Sequence, residues 1–205
     1  MRKKIEFARK HRNTDWRRIV FTDESWLCCN ERTGKIHWAR TRAEVLAMEK
    51  KARWNVPSIM IWGCIGYNYK SELIVFPSKQ SVDGEMKQFR LDSFAYVRRC
   101  LSTVAPSLAK TTRLFQQDGA RSHAAKHTLQ YLKRKGVALL EPWPPYSPEL
   151  NAIERIWKEM NVRVGARCPM TMDELMVAAK EAWAELPQSV INAHCKHFRE
   201  QVRRL

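Results

Sequence analysis

The chain has 205 residues, 44% of them apolar and eight of them Trp, which is enough for one sizeable core and excludes a disordered tail. Lys and Arg number 37 against 21 Asp and Glu, a formal charge of +16. That balance points to a polyanionic partner, nucleic acid ahead of an anionic membrane surface.

The start, "MRKKIEFARKHRN", is charged where a signal peptide needs an apolar stretch, and no run of 18 apolar residues follows, so a soluble intracellular protein without a membrane span is expected. Residues 2–13 read as a short basic helix with Ile5, Phe7 and Ala8 its apolar members. Ile19, Val20 and Phe21 read as a buried strand with Asp23 near its end. "SWLCCN" and "KIHWAR" flank "ERTG", a hairpin turning on Gly34, and the charged stretch 41–55 fits either a helix or a loop. "PSIMIWGCIGY" and "SELIVF" read as two further strands joined by the polar turn 67–71. Asp83 is expected to cap a helix carrying Met86, Phe89, Phe94, Val97 and Leu101.

The pattern then alternates: strand 113–118, helix 121–135, strand 137–140, helix 148–163, and two more helices at about 172–186 and 188–203. This order predicts an α/β fold with a mixed five-stranded sheet, three antiparallel strands followed by β-α-β-α, and helices on both faces. One domain is expected over 1–205, with a basic helix or linker over 1–16 and C-terminal helices over 165–205. Cys28, Cys29, Cys64, Cys100, Cys168 and Cys195 form no C-x-x-C pair and read as reduced, mostly buried thiols.

Two carboxylates stand at strand ends, Asp23 in "FTDES" and Asp118 in "FQQDGA", where a sheet presents side chains beside its loops. A third is Glu154. Ser147 as N-cap and Pro148 as first helical residue are expected to fix the start of its helix. Leu150, Ile153, Trp157 and Met160 form an apolar stripe there, with Glu154 at its margin and Glu159 pointing away. Three clustered carboxylates repel unless a cation neutralises them, and hard oxygen donors suit Mg²⁺ or Mn²⁺. A pair of such ions can activate water and stabilise a leaving oxygen, a nuclease-type centre. The bland alternative is that carboxylates at strand ends and in first helical turns are caps or solvated groups.

At this point the residues resemble a known family. "FTDES", "SIMIWGCI", "FQQDGARSH" and "WPPYSPELNAIERIW" are similar to the catalytic domain of Tc/mariner-type cut-and-paste transposases, and of DDE transposases more broadly. The resemblance runs from about residue 5 to the end of the chain. It implies an RNase-H-like fold, of the retroviral-integrase superfamily, in which Asp23, Asp118 and Glu154 hold two divalent ions, Mg²⁺ or Mn²⁺. Asp23 would bridge both ions, with Asp118 and Glu154 each on one side. The implied chemistry is phosphodiester hydrolysis at transposon ends followed by strand transfer into target DNA, without a covalent protein intermediate. Glu149 replaces the family's usual Asp, Ala152 its usual Pro, and Gly119 stands where Asn is frequent. Between Asp118 and Glu154 lie 35 residues, where many relatives have 34, and retroviral-type integrases share the longer spacing. The sequence starts just before the catalytic core and is expected to lack the family's N-terminal helix-turn-helix modules. Family members act as dimers, which makes a homodimer a candidate assembly, and a eukaryotic member would act in the nucleus.

His123 lies five residues after Asp118, where the family often has His, and is a candidate for orienting substrate. Its i, i+4 pairing with His127 mimics a zinc site without a third ligand, and a partly exposed structural His is the simpler reading. Glu24 points to the opposite face of its strand from Asp23 and is not expected to be a ligand. Arg121, Lys126, Lys133, Arg134 and Lys135 are candidate phosphate contacts near the site, against the simple alternative of a solvated helix face. Trp26, Trp38, Trp62 and Trp157 read as packing groups, whereas Trp143 sits in a proline loop placed to touch DNA. Two other functions compete. A domesticated, DNA-binding relative without cleavage would be betrayed by loss of a carboxylate, and an integrase or RNase-H-type nuclease by cleavage of RNA in hybrids.

Overall fold

The computed structural model describes residues 2–29, 57–82 and 85–205. The "ERTG" turn with its second arm, the stretch 41–55 and Asp83 lie outside the described residues.

Strand β1 (Ile19–Cys28) is the axis of the sheet. Ile19, Val20 and Phe21 are fully buried, β-branched and aromatic side chains suited to a pleated surface packed on both sides. Strand β2 (Ser58–Gly66) pairs antiparallel with nearly all of β1, from Val20 opposite Gly66 to Cys28 opposite Ser58. This ladder carries β1 through the polar "TDES", so Asp23 stands mid-strand and not near a strand end as expected. Cross-strand hydrogen bonds, which apolar patterning does not report, set the strand's length.

Two short strands, β3 (Tyr69–Lys70) and β4 (Ile74–Pro77), both pair with β2, so the expected edge strand comes in two pieces and the sheet has six strands where five were predicted. A separate hairpin, β5 (Lys79–Val82) with β6 (Glu85–Gln88), occupies the place expected to start a helix. Met86 and Phe89 are three residues apart, a spacing that imitates a helix. Helix α2 instead begins at Ser93, where the Asp92 carboxylate accepts the Ala95 N–H at 2.8 Å; it runs through a π-helical stretch, Tyr96–Leu101, into Ser102–Leu108.

On the other edge of β1 lie β7 (Leu114–Gln116) and then β8 (Ala138–Leu139), both parallel. The helix expected over 121–135 is broken at Ala125, whose ψ of 139° separates α3 (Arg121–Ala124) from α4 (Lys126–Lys135). The Thr128 hydroxyl donates to the Ser122 carbonyl across that break at 2.6 Å. Gly136, at φ 72°, ends α4 in the left-handed conformation that spares glycine a steric penalty.

Helices α1 (Arg2–His11), α5 (Ile153–Ala166), α6 (Met172–Glu185) and α7 (Gln188–Arg204) cover one face of the sheet, meeting Ile19, Phe21, Ile59 and Ile61. Helices α2 and α4 cover the other, meeting Val20, Trp62 and Phe115. Cys29, Cys64, Cys100 and Cys195 are buried, as their spacing suggested. No described helix is long and apolar enough to cross a membrane.

Candidate active site

Strand register brings the two aspartates together. The last β1–β7 pair is Phe21 with Gln116; Asp23 and Asp118 each lie two residues further on, the next same-face positions of the two strands. Strand β7 stops there, and the Gln116 side chain takes its place by accepting the Thr22 N–H at 3.2 Å. Beyond that bond the edge of β1 opens, so Asp23 combines a mid-strand backbone with a missing neighbour.

Glu154 arrives from a proline-dense loop. Pro148 opens a 3₁₀ turn, Pro148–Leu150, and α5 starts only at Ile153. Ser147 does not cap α5 as expected; its hydroxyl donates to the Pro145 carbonyl at 3.2 Å. The intervening turn hands that task to Asn151. Its Oδ1 accepts the Ile153 N–H at 3.4 Å, and its Nδ2 donates to the Thr22 carbonyl at 3.2 Å. One buried side chain therefore ties the start of Glu154's helix to the residue preceding Asp23. Helix α1 braces the loop from outside. His11 Nε2 and Lys10 Nζ donate to the Glu141 carbonyl at 3.1 and 2.8 Å, Lys4 bonds Glu149 at 2.6 Å, and Phe7 packs edge-on against Trp143. Leu150, Ile153, Trp157 and Met160 are all buried, the stripe the sequence predicted.

Asp23, Asp118 and Glu154 line one cavity of about 420 Å³, walled by Trp143 through Pro148 and by Asn151. Trp143 is thus at the site. Burial pushes the Asp23 carboxyl up to about 8, helped by the charges of Glu24, Glu154 and Asp118. Burial also raises Glu154, against a hydrogen bond with Asp23 that lowers it. These two carboxyls are stable together only by sharing a proton or by meeting a cation. The expected convergence within metal-bridging reach is not complete: among the described residues no three acidic, His or Cys side chains are gathered as a closed ligand set. Like charges facing one cavity repel, and Asp118 is drawn aside by a separate partner.

That partner is His123. Its ring is 1% exposed, so the partly exposed structural histidine of the sequence reading is overturned. Nδ1 meets Asp118 Oδ1 at 2.6 Å and Nε2 meets Glu24 Oε1 at 3.1 Å. Burial opposes its charge, but the bonds to Asp118 and Glu24 outweigh burial and push its pKa up to about 10. The same bond, ahead of burial, holds Asp118 below the ordinary carboxylate range. Asp118 Oδ1 also accepts the Ala120 N–H at 2.9 Å, which leaves Oδ2 facing other demands. Glu24 does point away from Asp23, as expected, yet it belongs to the site through His123. Sequence reasoning missed this because parity along a strand identifies the face, not what waits there. The break at Ala125 separates His127 from His123, and His127 stacks on Phe94 instead.

The five basic candidates do not line the cavity. Arg121 and Lys126 are exposed at the starts of α3 and α4. Lys133, Arg134 and Lys135 form the last turn of α4, about 10–14 Å along its axis from Lys126, and there Arg134 and Lys135 lie over Tyr131. Helix α4 runs away from the carboxylates toward the opposite end of the sheet, so nearness in sequence misled.

A mixed sheet of this order, with three carboxylates facing one cavity where its central strands part, defines an RNase-H-like α/β domain with an acidic cavity. The chain belongs to the DDE superfamily endonuclease family, whose model matches residues 18–176. It is 26% identical over 203 residues to the Tc3 transposase of Caenorhabditis elegans, covering 98% of this chain and 59% of that protein. Similarity to the Tcb2 transposase of Caenorhabditis briggsae is 28% over 199 residues, covering 92% of this chain and 68% of the relative. In structure it resembles the Mos1 transposase catalytic domain solved with raltegravir and Mg, at TM-score 0.68 and 14% identity, over 98% of this chain and 89% of that one. A Mos1 paired-end complex with Mn superposes at TM-score 0.69 and 15% identity, over 98% and 59% of the two chains. The RNase-H-like fold expected from the sequence is therefore the observed one.

Proposed function

We propose that the chain is the catalytic core of a cut-and-paste DNA transposase, cleaving phosphodiesters at transposon ends and joining those ends to target DNA. The observation that carries this reading is the shared cavity: Asp23, Asp118 and Glu154 face it together, and among the described residues Asp23 has no positive partner there. The donor set fits a hard divalent cation, since all three are carboxylates and the raised protonation of Asp23 and Glu154 is what a cation would relieve. Asp23, Asp118 through Oδ2, and Glu154 would hold two Mg²⁺ or Mn²⁺ ions, which when bound supply water activation and charge stabilisation at the scissile phosphate.

The chain's own residues do the rest. Asn151 and the proline loop fix the direction from which Glu154 enters, and Trp143 with Pro144 through Pro148 wall off solvent on that side. His123, clamped by Glu24, holds one oxygen of Asp118 in place so that the other stays available. The similarity to Mos1, solved in a paired-end complex with its left transposon end, supports DNA as the partner and a dimer as the working assembly.

The test is nicking and strand transfer of supercoiled plasmid in Mn²⁺ and then Mg²⁺, paired with calorimetric Mn²⁺ titration, using wild type and Asp118→Ala. Metal binding and nicking that the substitution removes are expected. A wild-type protein that neither takes up Mn²⁺ nor nicks DNA would sink the reading.

A further inference from the structure

On the sheet face opposite the catalytic cavity, the start of α2 packs against α3 and α4 and leaves a groove of about 500 Å³. Phe94 stands in it, 67% exposed, with its ring stacked on His127 at 4.4 Å between centroids and 29° between planes. A large apolar ring held in solvent by a stacked neighbour presents a flat face at no further ordering cost, which is the form of a base-stacking platform. Arg90, Arg98 and Arg99 line the same groove. Arg99 is committed to packing over Phe76 at 4.3 Å, but Arg90 and Arg98 are exposed and form no ion pair with any described residue. Asp92, the one acid among the described residues lining it, is engaged in capping α2. The groove thus offers an aromatic face and two exposed guanidinium groups with no acid partner among the described residues, complementary to a base and its phosphates.

Buried side chains join the floor beneath the groove to the carboxylates. Two residues beyond Phe94, the Tyr96 ring lies 4.4 Å from the His123 ring, and the Tyr96 hydroxyl donates to Gln117 Oε1 at 3.3 Å, next to Asp118. We propose that this groove seats an unpaired nucleotide of the bound DNA, its base on Phe94 and its phosphates on Arg90 and Arg98. Within a duplex both faces of a base are covered by its neighbours, so Phe94 selects a nucleotide that has left the stack. The inference rests on the reading of the protein as a DNA-processing enzyme.

Fluorescence anisotropy in EDTA, at one fixed salt concentration, compares a blunt duplex with the same duplex carrying a single-stranded tail. Phe94→Ala is expected to weaken binding of the tailed DNA about tenfold, a single lost base stack, while binding the blunt duplex like wild type. Phe94→Tyr keeps the ring and is expected to restore wild-type affinity. In a separate salt series on tailed DNA, replacing both Arg90 and Arg98 by Ala is expected to flatten the salt dependence. Equal loss on both DNAs, or no loss on either, overturns the platform while leaving DNA binding intact. A wild-type protein that binds neither DNA removes the DNA reading and the platform with it.

Discussion

Asp23 and Glu24 are neighbours in sequence, on one strand, with one charge each, and the two faces of the sheet treat them in opposite ways. Glu24 points to the face of α2 and α3 and finds His123, a cation held by two carboxylates. Asp23 points to the face of α5 and finds Glu154, another acid, with its carboxyl pushed up to about 8. One face gives its two acids a shared cation by construction of the fold, and the other keeps a charge conflict that the fold does not resolve. Acids left in conflict beside an open cavity mark where a cation and its chemistry belong.

The comparison predicts stability changes of opposite sign. Glu24→Ala deprives a buried imidazolium of one of its two partners and should destabilise the protein by about 3 kcal/mol, toward the low end for a broken buried pair because Asp118 remains. Asp23→Asn removes the conflict and should stabilise the metal-free protein by on the order of 1 kcal/mol or more near neutral pH, while abolishing metal-dependent cleavage. Urea denaturation in EDTA reads both. If the two substitutions shift the midpoint in the same direction, the two faces do not differ as described.

The same contrast fixes a pH dependence. Asp23 keeps its proton in the folded state up to about 8 but loses it near 3.8 when unfolded, so its contribution is full below about 4 and is lost as pH rises through 8. His123 has a folded value of about 10 against 6.5 unfolded, so its contribution is full below 6.5 and is lost as pH rises through 10. Both slopes have one sign. The thermal midpoint of metal-free protein should fall from pH 4 to pH 10, and Asp23→Asn or excess Mn²⁺ should flatten the lower half of that fall. A midpoint that climbs between pH 5 and pH 8 in EDTA would contradict both assignments.

Packing on the catalytic face is as tight as its electrostatics are unsettled. Gly63 lies opposite Asp23 across β1 and β2, and a Cβ there would stand 3.1 Å from the Trp183 ring and 3.4 Å from that of Trp157. Those two indoles stack at 5.7 Å and both are buried, so neither yields freely. Gly63→Ala should therefore destabilise by about 1–2 kcal/mol. Gly119→Ala is the control, since nothing lies within 4 Å of a Cβ at that position.

What the sequence made legible follows from what each signal measures. Apolar periodicity placed α5, α6 and α7 and the buried residues from Leu150 to Met160, because one face of each helix packs on the sheet. The strand pattern put Asp23 and Asp118 toward the ends of two strands, and the observed register makes those strands neighbours. Periodicity failed where backbone pairing decides: the polar half of β1, the β5–β6 hairpin, and the break at Ala125. Glu24 and Asn151 were missed for another reason. Each matters through a partner more than 90 residues away, His123 for one and Thr22 for the other, and no local pattern reports such a meeting.

Asn151 gives the smallest and most discriminating effect. Asn151→Ala removes a long cap bond to Ile153 and the link to the Thr22 carbonyl, and the stability loss should be about 1 kcal/mol. If that side chain only caps a helix, cleavage at saturating metal should fall no further than the folded fraction does. If it aims Glu154 at Asp23, the protein should stay folded at 25 °C yet need several-fold more Mn²⁺ for half-maximal nicking, because the carboxylates no longer meet at a fixed angle. Asn151→Asp separates the two roles within one position: a carboxylate caps α5 as well as an amide does but cannot donate to the Thr22 carbonyl. Retained stability with a raised Mn²⁺ requirement in that variant would locate the aiming function in the Nδ2 bond alone.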